Sequence, residues 1–488
     1  MLDQAIIEMA LQTIGWMGYF LAAVLSAGHA LFYKRDPRAV LFWMLVCFAL
    51  PYVGALFYAL FGINRITTRT RRLLAERSGL PELDVLNPST LITNPTVELP
   101  PGLASFAPVS AGLTGRPLAT ADQVTPYFSG ETAYQAMLQS IEQAQFSVLL
   151  SAFIFSMDSS GKRFLAALQA ADRRGVTVRV LVDGVGAFYS LPHASLKLTQ
   201  AGIRCETFIP VRLWPPSFHI NLRNHRKLLV VDGCQAFTGG MNIRDRHLSN
   251  TEGMSRYAIQ DMHFLFEGAI SAQLQRVFEE DWCFVTGESP IGNVKQGIVP
   301  VPAGGDSHIC RVITDGPNED LDKLTTILIG VIALARRKVA IMVPYFLPPI
   351  SLIEALKAAV LRNVEVVIIL PERSNQPVVH WATQHMLWQL LEFGVRILYQ
   401  PPPFAHSKFI VIDECYAQVG SANLDARSLR LNFELMVEVY GGSLVEELSR
   451  HFDTMCQRSR EETLERVDAR GFWIRLRDAV ARLFSPFL

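Results

Sequence analysis

One stretch of this chain occurs twice, and its repetition constrains the fold more than any other feature. Both copies follow the pattern H-x-K-x4-D-x6-G-[GS]-x-N. The matching positions are His225, Lys227, Asp232, Gly239, Gly240 and Asn242 in the first copy, and His406, Lys408, Asp413, Gly420, Ser421 and Asn423 in the second. A match at so many fixed offsets is an internal repeat, so the chain is expected to contain two similar halves.

Each copy predicts a buried strand that presents a histidine and a lysine on one face. Side chains two residues apart in a strand point to the same face, so His225 should lie beside Lys227, and His406 beside Lys408. The apolar runs that follow, 228–231 and 409–412, indicate buried strands that would hold these side chains rigidly.

Two such copies facing each other would form a site for a phosphodiester. The lysine ammonium groups can hold the negative charge, and one imidazole can attack phosphorus while the other protonates the leaving oxygen. Neutral donors to the phosphate are expected from the side chains of Asn242 and Asn423 and from the small turns at Gly240 and Ser421. This chemistry requires no metal and no cofactor, and none is expected.

The paired motif resembles the phospholipase D superfamily, and the chain is similar to bacterial cardiolipin synthases in particular. The second resemblance rests on two N-terminal apolar segments and on the residues after the second motif, which run N-L-D-A-R-S from Asn423 and L-N-F-E from Leu431 to Glu434. It implies phosphatidyl transfer between two phosphatidylglycerol molecules through a phosphohistidine, giving cardiolipin and glycerol. His225 would be the nucleophile and His406 the acid and base.

The resemblance also implies a carboxylate that orients each histidine from the strand after its motif. On this basis Asp261 is paired with His225 and Glu434 with His406, and Glu438 remains an alternative for the second pair. The candidate catalytic residues are therefore His225, Lys227, Asp232, His406, Lys408 and Asp413. Of these, the two aspartates end buried strands and are expected to brace the site rather than to transfer protons.

Other functions remain open on the sequence alone. They are hydrolysis of the same intermediate by water, phosphatidyl transfer to another alcohol, and binding of anionic lipids without catalysis. Lys+Arg and Asp+Glu balance at 45 each, so the basic surface typical of nucleic-acid binding is not expected. The seven cysteines form no C-x-x-C pair, so neither a zinc site nor a disulfide framework is indicated. The expected partners are phosphatidylglycerol and other membrane lipids, and a homo-oligomer is compatible with the sequence.

Two apolar segments, 13–33 and 40–61, carry no formal charge and are each long enough to cross a bilayer. They predict a two-helix transmembrane hairpin within residues 1–64, hence a multi-pass protein of the bacterial inner membrane. Three basic residues lie in the loop between the segments, and five lie between residues 65 and 77 after the second. The positive-inside rule then places the catalytic part on the cytoplasmic side.

The remaining chain predicts an α/β fold made of two phospholipase D-like repeats. Strands alternate with helices in each half, which favours a largely parallel sheet. The predicted parts are a Pro-rich linker at 65–118, the two halves at 119–300 and 301–470, and an amphipathic C-terminal helix at 471–488. The resemblance implies a pseudo-twofold packing of the halves. The C-terminal helix suits a membrane interface or docking on the domain.

Overall fold

The computed structural model of this chain describes residues 2–34, 37–62, 99–100, 102–210, 223–248, 258–288, 307–316 and 322–485. The chain divides into two compact units, residues 1–78 and 79–488. The predicted linker lies for the most part outside the described residues.

The N-terminal unit is built from apolar helices. Helix α1 (Leu2–Tyr33) is long and apolar enough over Ile6–Tyr33 to cross a membrane by length and composition. The predicted second span does not form one continuous helix. It is divided between α2 (Pro37–Ala49), α3 (Val53–Phe57) and a π-helical turn at Tyr58–Gly62. The break falls at Pro51, because proline lacks a backbone N–H and disfavours helical geometry in the residue before it.

The first half of the large unit contains a seven-stranded sheet of order β2-β9-β7-β6-β3-β4-β5. In chain order, the strands from residue 119 to residue 267 are β1 (Ala119–Ala121), β2 (Gln123–Tyr127), β3 (Ser147–Ala152), β4 (Thr177–Asp183), β5 (Arg204–Phe208), β6 (Leu228–Val231), β7 (Gln235–Gly239), β8 (Ile259–Gln260) and β9 (His263–Glu267), of which β1 and β8 belong to other sheets. The helices are α4 (Ala107–Thr114), α5 (Gly130–Gln143), α6 (Ser159–Arg173), α7 (Ala194–Gln200) and α8 (Ile270–Thr286), with short 3-10 turns at Gly186–Tyr189 and Asp245–His247.

The second half repeats this order in a nine-stranded sheet, β1-β10-β17-β16-β15-β11-β12-β13-β18. Its strands are β10 (His308–Asp315), β11 (Lys338–Met342), β12 (Glu365–Pro371), β13 (Arg396–Gln400), β14 (Phe404–Ala405), β15 (Phe409–Ile412), β16 (Tyr416–Gly420), β17 (Glu434–Tyr440) and β18 (Arg460–Glu462). Its helices are α9 (Lys323–Leu334), α10 (Ile350–Leu361), α11 (Pro377–Met386), α12 (Trp388–Leu391), α13 (Ala426–Arg430), α14 (Ser443–Arg458), α15 (Leu464–Asp468) and α16 (Phe472–Leu483). The internal repeat is thus confirmed as a repeat of topology.

Both sheets are mixed, so the prediction of largely parallel sheets is wrong. Only the strands joined through helices are parallel, β3 to β4 to β5 and β11 to β12 to β13. The motif strands β6 and β15 instead form antiparallel hairpins with β7 and β16. The turn of each hairpin is only three residues long, which is too short for the crossover that a parallel pair requires.

The boundary predicted between linker and first half also changes. Strand β1 pairs antiparallel with β10 and therefore belongs to the sheet of the second half. Helix α4 lies within the predicted linker, yet Phe106 and Ala107 are buried in the core of that same half, together with Ile327 and Val331 of α9. Residues 102–121 thus cross to the second half before the first half begins.

The two halves share one hydrophobic core. Leu228 and Val230 of the first motif strand belong to the same buried cluster as Val411 of the second, and Phe278 of α8 and Leu448 of α14 complete it. The outward faces of the two sheets pack separate clusters against their own helices. Burial of both motif strands in one core fixes the two halves relative to each other.

Candidate active site

The two motif histidines line one cavity between the halves, with a volume of 510 Å³. His225 lies three residues before Leu228, the first residue of β6, and His406 lies three residues before Phe409, the first residue of β15. Both residues are almost fully buried, with 8% and 9% of their surface exposed. A cavity of this size is typical of sites for small-molecule groups. The sequence prediction that the two motifs form one site is consistent with this placement.

Reciprocal backbone contacts hold each histidine against the opposite half. The amide N–H of His225 donates to the carbonyl of Phe433 at 3.0 Å, and that of His406 donates to the carbonyl of Gln260 at 2.7 Å. Strand β14, just before His406, also pairs in parallel with β8. The residue after each of these carbonyls is a carboxylate, Glu434 in one case and Asp261 in the other.

The carboxylate pairs therefore cross between the halves, and the pairing predicted from the sequence is wrong. His225 Nδ1 lies 3.1 Å from Glu434 Oε2, and His406 Nδ1 lies 2.6 Å from Asp261 Oδ2. Glu438, the alternative partner, instead forms a buried ion pair with Arg311 at 3.1 Å. An Nδ1–H that donates to a carboxylate leaves the Nε2 lone pair of each imidazole free to react.

The motif lysines lie beside the histidines, as their spacing predicts. Lys227 Nζ donates to the carbonyl of His225 at 2.7 Å. Lys408 Nζ lies 2.8 Å from His406 Nδ1 and 3.8 Å from the Asp261 carboxylate. Burial lowers the pKa of Lys227 to about 7 and that of Lys408 to about 8. Each motif lysine thus places its amino group beside a motif histidine, where in its protonated form it would attract a phosphate anion.

Burial also controls the protonation of the histidines and their carboxylates. It lowers the pKa of His225 to about 4 although Glu434 opposes the shift, and burial together with Lys408 lowers the pKa of His406 to about 4. For Asp261, burial alone would raise the pKa, but Lys408 and His406 reverse this and lower it. The pKa of Glu434 is likewise lowered by His225 and Lys227, against the effect of burial. At neutral pH the empty site thus holds neutral imidazoles beside ionised carboxylates, and the two lysines lose their charge as the pH rises through about 7 to 8.

Of the predicted phosphate ligands, the two asparagines line the cavity and the two small residues do not. Asn242 Oδ1 accepts from the Ile154 amide at 3.1 Å, and Asn423 Nδ2 donates to Ser428 Oγ at 3.4 Å. A Cβ on Gly240 would lie 2.1 Å from the Asp261 carboxylate. Only glycine leaves room there for that carboxylate.

Ser421, the counterpart of Gly240, is fully buried and points away from the cavity. Its hydroxyl donates to Glu434 Oε2 at 2.5 Å. The structure therefore places both small residues against the carboxylates that contact the histidines, and their contact with phosphate stays a prediction.

The motif aspartates act outside the cavity. The Asp232 carboxylate accepts from the amides of Gln145, Phe146 and Ser147 at 2.7–2.8 Å. Asp413 accepts in the same way from the amides of residues 336, 337 and 338, also at 2.7–2.8 Å. Each carboxylate ties the end of a motif strand to the start of its neighbour, β3 or β11. These contacts support the bracing role and not a catalytic one.

Sequence reasoning missed the arginines of the cavity wall. Arg223, Arg244, Arg246 and Arg427 all line it. The signal was present, because Arg246 and Arg427 stand at the same distance after the motif asparagines of the two repeats. Asp183 was also missed. It lies at the end of β4 and accepts from the amide of Asn224 at 2.7 Å, which fixes the chain just before His225.

The sequence comparisons agree with this geometry. Residues 137–282 and 328–456 match the family described as cardiolipin synthase, PLD-like domain, and residues 21–62 match the phospholipase D-nuclease N-terminal family. The chain is 32% identical to cardiolipin synthase A of Pseudomonas putida over 96% of both chains. It is 31% identical to a cardiolipin synthase of Geobacillus kaustophilus, covering 96% of this chain and 92% of the relative. The major cardiolipin synthase of Bacillus subtilis is 29% identical, with coverage of 96% and 98%.

Among solved structures, the fold is similar to that of a phosphatidylserine synthase from Haemophilus influenzae. The TM-score is 0.59 at 15% identity, and the match covers 76% of this chain and 97% of the other. At this identity the likeness concerns the fold alone.

Proposed function

The chain belongs to the cardiolipin synthase family of phospholipase D-like proteins, and we propose that His225 and His406 together carry out its reaction. Its activity is that of a cardiolipin synthase, a phosphatidyltransferase. The observation that carries the proposed roles is the placement of both imidazoles, each with its own carboxylate, in one cavity.

In the first step, His225 Nε2 attacks the phosphorus of a phosphatidylglycerol. A phosphorus–nitrogen bond forms, the bond to the glycerol oxygen breaks, and His406 gives its proton to that oxygen. Lys227 and Lys408 stabilise the charge that develops on the phosphoryl oxygens. His225 is assigned as the nucleophile because the N-terminal motif usually supplies it in the superfamily.

In the second step, the free hydroxyl of another phosphatidylglycerol gives its proton to His406 and attacks the same phosphorus. The phosphorus–nitrogen bond breaks, and cardiolipin is released. The low pKa of His225 suits a nucleophile, which must be neutral. His406 must be protonated for the first step, and the negative charge of a bound phosphodiester raises its pKa in the required direction.

The N-terminal unit is proposed to anchor the enzyme in the inner membrane. Helix α1 is the described helix that is long enough to span it, and α2 packs against α1 around the buried side chains of Ala23, Trp43 and Cys47. We propose that the divided segment 40–61 forms the second limb of a multi-pass anchor. The basic residues after it favour a cytoplasmic catalytic part.

The test is a product analysis with purified protein in liposomes that contain phosphatidylglycerol as the only lipid. Cardiolipin and free glycerol should form in equal amounts, and mass spectrometry of the trapped intermediate should locate the phosphatidyl group on His225. Phosphatidic acid as the main product would instead show that water is the acceptor. An adduct on His406 would reverse the two histidine roles.

A further inference from the structure

The cavity is symmetric in its catalytic groups but not in its charges. The repeat aligns His225 with His406, Asn242 with Asn423, and Arg246 with Arg427 at one constant offset. At the same offset Arg244 aligns with Asp425. The first repeat therefore brings two arginines to the cavity wall where the second brings one arginine and one aspartate.

Arg244 and Asp425 also differ in the hydrogen bonds that their side chains form. The Asp425 carboxylate caps helix α13 by accepting from the Ser428 amide at 2.7 Å. Arg244 Nε, by contrast, is buried and has no hydrogen-bond partner, and Arg244 forms no ion pair with any described residue. The negative charge of Asp158 opposes the lowering of the Arg244 pKa. The Asp158 carboxylate itself accepts hydrogen bonds from the backbone amides of Gly161 and Asp245.

Other buried arginines of this protein are matched by carboxylates. Arg226 lies 2.6 Å from Asp281, Arg311 lies 3.1 Å from Glu438, and Arg116 lies 3.0 Å from Glu280. Arg244 is half-buried and has no carboxylate matched to it in this way among the described residues, and burial together with neighbouring Arg246 lowers its pKa. A half-buried guanidinium that faces a cavity beside a second arginine is suited to an anion from outside the chain.

The position of Arg244 relates it to one histidine in particular. His247, on the same loop, accepts a hydrogen bond from the Asn242 amide through Nε2 at 3.2 Å. The turn at Asp245–His247 packs against strand β8, and the carbonyl of Gln260 in β8 accepts from the His406 amide at 2.7 Å. The loop 242–247 therefore brings Arg244 to the side of the cavity where His406 lies.

Transfer between two phospholipids brings two phosphates into one site. The donor phosphate is bonded to a histidine beside the lysines, while the acceptor carries a second phosphate next to the hydroxyl that reacts. We propose that Arg244, with Arg246 beside it, binds the phosphate of the acceptor phospholipid and directs its hydroxyl to His406. This inference rests on the proposed function and adds the acceptor site, which hydrolysis would not need.

The test compares two acceptors with one donor. Purified full-length protein receives phosphatidylglycerol alone, or phosphatidylglycerol with a short primary alcohol that carries no phosphate. Arg244→Gln should lower cardiolipin formation about tenfold, equivalent to about 1.4 kcal/mol of lost binding, and should raise the ratio of phosphatidic acid to cardiolipin. Transfer to the alcohol should change less than about twofold, and Arg244→Lys should restore part of the cardiolipin synthesis.

The matched control is Arg163→Gln, which removes an exposed arginine from helix α6. Equal losses with both acceptors would place Arg244 at the donor phosphate and overturn the inference, as would unchanged cardiolipin synthesis. Failure of the proposed function has a different signature, since the wild-type protein would then form phosphatidic acid instead of cardiolipin.

Discussion

At the scale of single residues, each catalytic imidazole depends on a carboxylate from the other repeat. Glu434 is fully buried and also accepts a hydrogen bond from Ser421, while Asp261 fits against Gly240. The carboxylate fixes the tautomer and stabilises the imidazolium that forms during transfer. The effect of each carboxylate should therefore be seen on the histidine of the opposite motif.

We expect Glu434→Gln to perturb His225 and Asp261→Asn to perturb His406. Each substitution should lower kcat by about 10²- to 10⁴-fold, the usual contribution of a positioned acid or base. Histidine-selective nitrogen NMR should show the changed tautomer at the crossed partner. Glu354→Gln, at an exposed position, serves as the control. A changed signal at His406 in Glu434→Gln would contradict the crossed pairing.

The pKa values of the two motif lysines predict that substrate binding depends on pH. A lysine is charged below its pKa, and in the empty site these values are about 7 for Lys227 and about 8 for Lys408. As the pH rises through this range, the charge is lost and binding of the anionic lipid weakens. We expect kcat/KM to fall there, because it reports the free enzyme.

The same measurement should separate binding from turnover. A bound phosphate raises the pKa of both lysines, so kcat should fall only at higher pH. The check is a pair of profiles recorded at constant ionic strength. A kcat/KM that stays constant as the pH rises through 8 would show that the lysines keep their charge in the empty site.

At the scale of elements, the C-terminal helix α16 is arranged with its apolar side outward. Asp478 faces inward, where Arg470 binds it at 2.9 Å and Arg477 at 2.7 Å, and Ala481 is buried next to it. Phe472, Trp473 and Leu483 are 69%, 77% and 76% exposed. A helix that only docked on the domain would bury its apolar face, so this arrangement favours the membrane interface, one of the two interpretations open from the sequence.

We expect Phe472→Ser combined with Trp473→Ser to weaken the use of lipids in a bilayer. Activity on phosphatidylglycerol liposomes should fall about tenfold or more, since burial of each aromatic side chain contributes on the order of 1.5–3 kcal/mol and about 1.4 kcal/mol corresponds to a factor of ten. Activity on short-chain phosphatidylglycerol in detergent should stay near that of the wild type. Leu361→Ser, which is 72% exposed at the end of α10, is the control. Equal losses in both assays would indicate damage to the fold.

At the scale of the whole molecule, we propose that the two halves form one catalytic unit within one chain. Both motif strands are buried in one shared core, and each histidine is bound by the opposite half. Neither half can therefore present a complete site alone. Removing one member of such a unit should cost nearly as much as removing both.

We expect His225→Ala and His406→Ala each to abolish cardiolipin synthesis while the protein stays folded. A mixture of the two variants should remain inactive, because the intact histidine of one chain cannot enter the cavity of another. The measurement is cardiolipin formation by each variant, the double variant and the mixture. Recovery of activity in the mixture would show that the histidines act from different chains.

The sequence by itself determined the repeat and the residues that stand next to each other along each motif. The fixed spacing places His225 beside Lys227 where the chain enters strand β6, because side chains two residues apart in an extended chain point to the same face. The bracing role of Asp232 followed in the same way from its place at the end of a buried run. These are local properties, set by residues within one element.

Only the tertiary structure decided which residues meet across elements. It pairs Glu434 with His225 and Asp261 with His406. It also places strand β1 in the sheet of the second half. It also left the buried Nε of the Arg244 guanidinium at the cavity wall without a hydrogen-bond partner among the described residues. Packing of the shared core brings together residues that lie far apart in the chain. Because the two motifs have the same spacing, local sequence patterns cannot distinguish pairing within a half from pairing across the two halves.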